Sequence, residues 1–327
     1  MNADLPRLPS RDGKGHKGTF GTVAVVGGWA LRTTEEGNAG VHMIGGPALC
    51  AMAALRSGVG LVRLVMPEPI LDIGIGLAPS ATGVPLPVDH EGMVVSFKAA
   101  VVLDQVMADA SCVAIGPGLG AGDGPRACVM RVVSQDAVPA VIDADAINAL
   151  AEMPEVQRDF RAGAVLTPHP GEFKRLATAL GMDGDAVDPA RRPLACEMLA
   201  QRLGCVVVLK GAGSVVSDGH RTWVHTGVGS VNPALATAGT GDVLTGVIAG
   251  LIAQHYKAPM VAGERTVTSE RLGGLSLFDC ARLGVAAHAA AGQRWKAETG
   301  ASAGLLAEDL VRVLPWALED MRDPHGR

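Results

Sequence analysis

Short apolar runs, mostly of β-branched residues, alternate along this chain with longer stretches in which Ala and Leu recur at helical spacing. That alternation limits the fold more than any other feature. Residues 22–27, 60–66, 112–115, 140–142, 164–166 and 206–209 read as strands, and 47–57, 124–135, 146–151, 170–180 and 189–203 as helices between them. Strands this apolar must be covered on both faces, and helical crossovers leave successive strands parallel. The pattern predicts an α/β protein, a three-layer α/β/α sandwich around a mostly parallel central sheet. From Cys205 the rhythm changes: 206–209, 213–217 and 221–225 are separated only by short turns containing Gly211 and Asp218-Gly219, which predicts a C-terminal β-meander. No Pro- or Ser-rich linker and no internal repeat interrupts the 327 residues, so one domain over 1–327 is expected. Two segments resist assignment. Residues 29–44 are polar, charged and expected to be mobile near a site, and 256–277 form a weakly periodic insertion that suits a lobe, a loop or an interface element.

Composition removes several functions. A formal net charge of −5 argues against general nucleic-acid or membrane-surface binding, which needs concentrated positive charge, so an anionic ligand must be held by local groups. With 48% hydrophobic, 43 Gly and only 3% aromatic residues, the core is built from small side chains. Cys50, Cys112, Cys128, Cys196, Cys205 and Cys280 show no close pairing and lie mostly in apolar stretches, as reduced thiols in a cytoplasmic protein do. The first 17 residues carry no apolar leader segment, and the apolar run after Asp242 is too short to span a bilayer. A cytoplasmic enzyme is expected.

Chemistry concentrates where predicted strands end. In Asn232-Pro233-Ala234-Leu235-Ala236-Thr237-Ala238-Gly239-Thr240-Gly241-Asp242, a carboxylate directly follows a Gly-Thr-Gly turn, and the apolar periodicity of Val243, Leu244, Val247, Ile248, Leu251 and Ile252 starts a helix there. Helix starts attract phosphate, so Asp242 would stand beside phosphate oxygens with a hydroxyl to deprotonate, a metal or a cation as partner. Lys210-Gly211-Ala212-Gly213-Ser214 ends another strand with an ammonium, free N–H groups and a hydroxyl. Alone it is an ordinary hairpin turn; paired with the Gly-Thr-Gly-Asp turn it makes a nucleotide cradle. No Gly-x-x-x-x-Gly-Lys-Ser/Thr occurs, so the phosphate site is not a P-loop.

Gly116-Pro117-Gly118-Leu119-Gly120-Ala121 fits Gly-x-Gly-x-x-Ala formally. Pro117 stiffens it, and Asp143 and Asp145 lie far along for a ribose-binding acid, so a ligand-facing turn at the carboxyl edge of the sheet is preferred to a dinucleotide fingerprint or a structural turn. Asp143, at the end of a buried strand, is the better ligand-facing candidate, whereas Asp145 also suits the N-cap of the next helix. His169 is fixed between Pro168 and Pro170, which restrict the backbone and pre-set the imidazole, and Glu172 falls in the following first helical turn.

Taken in order, His16-Lys17-Gly18 with Phe20-Gly21, Ala53 to Gly60, Gly116 to Gly120, Asp143-Ala144-Asp145-Ala146, Thr167 to Glu172, Lys210-Gly211 and Asn232 to Gly246 resemble the NAD(P)H-hydrate dehydratase family of the ribokinase-like superfamily over nearly the whole chain. The resemblance implies repair of hydrated nicotinamide cofactors. The S forms of NADHX and NADPHX lose water and return to NADH and NADPH, at the expense of ADP, or of ATP, with Mg2+ on the phosphates. It implies Asp242 as catalytic base, Gly46, Gly118, His169 and Asp242 around the hydrated cofactor, and Lys210, Gly211, Ala212, Gly213, Ser214 and Gly241 around the nucleotide. Gly239, Thr240 and Gly241 would stabilise the transferring phosphoryl group through their N–H groups. Asp143, Glu172 and Asn232 are secondary candidates.

The resemblance further implies a homo-oligomer, in one form a tetramer, and a separate epimerase, since an N-terminal epimerase domain is not expected here. The chain departs from the family pattern at Ile44-Gly45-Gly46 after the 29–44 segment, at Ala234 and Ala238, and in the 256–277 insertion. A ribokinase-like kinase of a small molecule such as a vitamin precursor, and a non-catalytic nucleotide sensor, are the other readings of the same Gly-Thr-Gly-Asp turn.

Overall fold

The computed structural model describes residues 5–31, 40–153, 155–262, 265–267 and 274–322. Its strands are β1 (Thr22–Val26), β2 (Trp29–Leu31), β3 (Val41–Met43), β4 (Leu61–Pro67), β5 (Thr82–Leu86), β6 (Cys112–Ile115), β7 (Ala140–Ile142), β8 (Ala164–Leu166), β9 (Val206–Leu209), β10 (Val215–Ser217), β11 (Thr222–Val224), β12 (Met260–Ala262) and β13 (Arg265–Val267). The helices are α1 (Gly45–Arg56), α2 (Glu68–Leu77), α3 (Ser96–Met107), α4 (Asp123–Val133), α5 (Asp145–Glu152), α6 (Pro170–Ala179), α7 (Arg192–Leu203), α8 (Thr240–His255), α9 (Leu277–Thr299) and α10 (Ala307–Arg322).

Nine strands form the main sheet in the order β11-β10-β9-β8-β7-β6-β1-β4-β5. Every pairing from β5 to β9 is parallel; β9-β10 and β10-β11 are antiparallel, as the meander expectation required. Alternate residues of each strand feed two cores. Val23 and Val25 of β1, Leu64 of β4, Cys112 of β6 and Val208 of β9 pack with α1, α8, α9 and α10. Ala24, Val26, Val65, Val113 and Val207 pack with α3, α4, α5, α6 and α7 on the other face. A sheet buried on both faces needs no polar alternation, which is why its strands read as continuous apolar runs. These helix layers with the sheet between them make the three-layer sandwich.

Small side chains set the layer spacing. On α8, a Cβ added to Gly246 would stand 2.2 Å from the carbonyl oxygen of Cys50, and one added to Gly250 would stand 1.9 Å from Ser57 Oγ. α1 and α8 therefore touch nearly backbone to backbone, and both carry site residues at their first turns.

Several boundaries shift from expectation. α7 starts at Arg192 rather than 189, and α8 starts at Thr240, so Thr240 and Gly241 are already helical and Asp242 lies inside the first turn. The elements β5, α2, α3, α9 and α10 went unassigned in the sequence. Residues 29–31 and 41–43 form the antiparallel ribbon β2-β3, while 32–39 of the segment expected to be mobile lie outside the described residues. In the 256–277 insertion, β12 and β13 form a hairpin, and 263–264 and 268–273 lie outside the described residues. No helix among the described residues is long and apolar enough to cross a membrane.

Candidate functional site

Strand order reverses at β1: the chain runs from β1 to β4 and β5 on one side, then from β6 outward on the other. In open α/β sheets the crevice at such a reversal, beyond the carboxyl ends of the strands, is where ligands bind. Here it is bordered by Gly27-Gly28 after β1, Gly116 to Gly120 after β6, Asp143 after β7, Thr167 to His169 after β8 and Lys210 after β9. The first turns of α1 and α8 close it from the side.

Asp242 occupies the first turn of α8, behind Gly239, whose φ of +87° admits the sharp entry into the helix that a β-carbon would strain. It faces Gly46, where an added Cβ would stand 3.2 Å from Asp242 Oδ2. A side chain at position 46 would therefore fill the space in front of the carboxylate. Burial, then the neighbouring charge of Asp143, pushes the Asp242 carboxyl up to about 7 despite the opposing pull of Lys210. At neutral pH the group is poised between acid and base.

Beneath it lies a buried ion cluster. Lys210 Nζ donates to Asp143 Oδ1 at 2.6 Å and lies 3.7 Å from Glu172 Oε2. Asp143 Oδ2 accepts from Thr245 Oγ1 at 2.6 Å, so both oxygens of this 1% exposed residue are engaged. Burial works against the Lys210 charge, but Asp143 and Glu172 outweigh it and hold its pKa above the usual lysine value. Glu172 is raised, chiefly by its own burial. Lys210 is thus committed to carboxylates rather than extended into solvent, although Gly241 remains close enough that an added Cβ would lie 3.5 Å from Nζ.

His169 is the N-cap of α6. Its Nδ1 accepts from Gly171 N at 2.9 Å while Glu172 Oε2 accepts the His169 N–H at 2.7 Å, a reciprocal capping box. Since Nδ1 is an acceptor, the neutral ring carries its proton on Nε2, which lies 3.4 Å from Glu172 Oε1. The half-exposed imidazole stands at the lip of the crevice. Gly118 (φ +56°) lies across from it under the β2-β3 ribbon, where an added Cβ would be 3.0 Å from that of Met43. Asp145 does not cap α5, whose N-cap is Ala144; it is the first helical residue, and its Oδ2 accepts the Gly120 N–H at 2.9 Å, tying the helix to the glycine turn.

Beside the cluster opens a cavity of about 490 Å³ lined by Lys210, Gly211, Ala212, Ser214, Asn232, Thr240 and Gly241 together with His225, Leu244, Val285 and His288. Gly213 is not in its wall; its N–H bonds to the carbonyl of Ser230, which is. Asn232 Oδ1 caps the short turn that follows by accepting from Ala234 N at 3.1 Å. Its volume is that of a small-molecule site. The Lys210-Gly211 turn is shaped by buried Arg192, which donates to the carbonyls of Ala186, Leu209 and Lys210. Burial drives His288 down to about 4, so its neutral Nε2–H donates to the Thr240 carbonyl at 2.8 Å and holds the start of α8.

A family model described as NAD(P)H-hydrate dehydratase matches residues 39–316. The chain belongs to the NAD(P)H-hydrate dehydratase family. Curated relatives include the bifunctional NAD(P)H-hydrate repair enzymes of Moorella thermoacetica, 35% identical over 97% of this chain and 53% of that protein, and of Coxiella burnetii, 36% identical over 95% and 53%. The chain spans about half the length of these relatives. Among solved structures, a ribokinase-like superfamily protein from Enterococcus faecalis superposes with a TM-score of 0.71 at 23% identity, covering 97% of this chain and 93% of that one, which shows the shared fold. The ADP/ATP-dependent NAD(P)H-hydrate dehydratase from Bacillus subtilis, co-crystallised with ATP and Mg2+, gives 0.69 at 25% identity over 96% and 95%.

In this family member, sequence reasoning missed Thr245, Arg192, His225 and His288. Thr245 had a usable signal, since it stands three residues after Asp242 and so on the same helix face. His288 had none, because α9 is buried on nearly every side and shows no amphipathic stripe.

Proposed function

We propose that this chain dehydrates the S forms of NADHX and NADPHX to NADH and NADPH, with ADP, or ATP, as phosphoryl donor. Family membership supports the substrate class, and one observation carries the chemistry: a carboxylate poised near neutrality in the first turn of α8, between the open space at Gly46 and the nucleotide-sized cavity. In this reading Gly46, Gly118 and His169 border the hydrated nicotinamide. Lys210, Gly211, Ala212 and Ser214 border the nucleotide, with Gly213 behind them on the Ser230 carbonyl.

Asp242 accepts the proton of the ring hydroxyl, and that oxygen attacks the terminal phosphoryl group of ADP; its bond to the AMP oxygen breaks and AMP leaves. Water is a poor leaving group, whereas phosphate is a good one. The ring nitrogen lone pair then expels phosphate with the C–O bonding electrons, and loss of a proton from the adjacent carbon restores the dihydronicotinamide. In this reading the N–H groups of Gly239 and Gly241, which bond to no other described residue, meet the charge that develops on the transferring group, while the Thr240 N–H is donated to the Thr237 carbonyl at 3.4 Å.

No group of three or more His, Cys, Asp or Glu side chains among the described residues is arranged to hold a metal ion, and the oxygens of Asp143 are already taken by Lys210 and Thr245. The described residues therefore offer no protein cage for magnesium, and in this reading the ion would ride on the nucleotide phosphates. Buried free thiols among the six cysteines suit a reducing compartment, the cytoplasm in this reading. An epimerase activity would supply the S form, and assembly as a homo-oligomer is checked by light scattering. A screen of ADP and ATP against both hydrated cofactors tests the reading. Reduced nicotinamide absorbance should return with one AMP released per ADP consumed; a stable phosphorylated product of another alcohol, with no return of absorbance, would instead favour a ribokinase-like kinase.

A further inference from the structure

The site described above is short of positive charge. Asp143, Asp145, Glu172 and Asp242 face one another across it, and Lys210 is consumed by two of them. A dinucleotide brings further negative charge through its phosphates, which a second cation near the lip would offset.

Arg175 stands there. It lies in the second turn of α6, and helical side chains lean toward the N-terminus, so its head lies back over the first turn, with Nη1 4.0 Å from where a Cβ on Gly171 would be. Its Nε donates to Asn148 Oδ1 at 2.9 Å; Asn148 Nδ2 donates to Asp145 Oδ1 at 3.5 Å; and Asp145 Oδ2 accepts the Gly120 N–H. The guanidinium is thus aimed by a chain of side chains that ends on the glycine turn. Its two terminal nitrogens make no hydrogen bond or ion pair with any described residue, and the residue is exposed. A cation over a helix N-terminus works against the helix dipole, and what the fold gains in return is the Nε bond to Asn148 and the attraction to Asp145, which leave the two terminal nitrogens unused. With an anion between the guanidinium and the half-exposed His169 ring, the same placement becomes favourable.

We propose that Arg175 binds a phosphate group of the dinucleotide substrate at the mouth of the site, with Asn148 as its positioning residue. The inference rests on the dehydratase reading for the identity of the substrate. A charge-assisted bidentate contact of this kind carries about ten- to hundredfold in affinity. Arg175→Gln should raise KM for the hydrated cofactor by that factor, change kcat far less and leave KM for ADP within about twofold, while Arg175→Lys recovers part of the loss. Asn148→Ala should move KM in the same direction by a smaller factor. A rise confined to hydrated NADPH assigns the extra ribose phosphate; an equal rise with hydrated NADH assigns the shared pyrophosphate. Binding of unhydrated NADPH, followed by its fluorescence, carries the same phosphates and needs no turnover. If the natural chain binds NADPH but regenerates none from its hydrate, the dehydratase reading fails and the Arg175 assignment is still decided by the titration. Unchanged NADPH binding and unchanged KM in Arg175→Gln, or an equal rise in KM for ADP, would overturn it.

Discussion

Asp242 holds two properties that oppose one another. Its burial costs the folded state once the carboxyl ionises, and that same cost raises the pKa to about 7, where a base works best. The folded chain keeps this proton between about pH 4 and pH 7 while the unfolded chain has lost it, so stability falls as pH rises through that window. Asp242→Asn removes the penalty. Its melting temperature should exceed that of the natural chain at pH 8, with the difference shrinking below pH 5, while turnover drops by about 10²- to 10⁴-fold and nucleotide binding persists. In the natural chain kcat/KM should fall as pH drops below about 7, because the protonated carboxyl cannot take the hydroxyl proton; a profile flat to pH 5 would remove Asp242 from that role. Lys210 is the complementary case. Lys210→Met leaves Asp143 and Glu172 buried without their cation, and loss of one partner from such a cluster costs about 3–5 kcal/mol, readable by urea unfolding.

At the scale of elements, the close approach of α1 and α8 is the feature least tolerant of change. Gly250→Val should cost about 1–3 kcal/mol by overpacking against Ser57 and Ala54, and should lower activity with it, because both helices bring site residues to the crevice. Compensation by Ser57→Gly is expected to return part of the stability. The sequence made the buried parallel strands legible because nothing polar interrupts them, and it hid β5 because Thr-Gly-Val-Pro-Leu breaks that pattern. Pro85 is tolerated there since β5 is the edge strand of the sheet among the described residues. The nearly all-round burial of α9 erased its local signal while tertiary packing kept the helix, whereas α10 carries a clear stripe of Leu310, Val311, Leu314, Ala317 and Leu318 with Pro315 set inside it. The Gly-Thr-Gly-Asp turn was legible as a turn, but its helix starts at Thr240, three residues before the apolar periodicity begins at Val243, because Thr240, Gly241 and Asp242 contribute no apolar side chain to the stripe.

For the molecule as a whole, the strand reversal at β1 gathers loops that are distant in sequence, and this is where sequence reading stops. Asp143 and Thr245 are 102 residues apart and hydrogen-bonded. Nothing local to either residue foretells the contact. Asp145 is the clearest instance: its sequence fits a helix cap, while the fold spends its carboxylate on Gly120. Binding of ADP to the cavity beside Lys210 and Thr240 should stabilise the whole domain, by about 2.7 kcal/mol at a hundredfold excess over Kd, in both the natural chain and Asp242→Asn. A melting temperature that does not respond to ADP in either would place the nucleotide elsewhere.

The most direct measurement mixes the protein with S-form hydrated NADPH and ADP in magnesium buffer and follows reduced nicotinamide absorbance and AMP together, for the natural chain and for Asp242→Asn. The natural chain should regenerate NADPH with one AMP for each NADPH, and Asp242→Asn should form both about 10²- to 10⁴-fold more slowly while still binding ADP. NADPH regenerated equally by both proteins, or regenerated without AMP, would contradict a phosphoryl-driven dehydration that begins at Asp242.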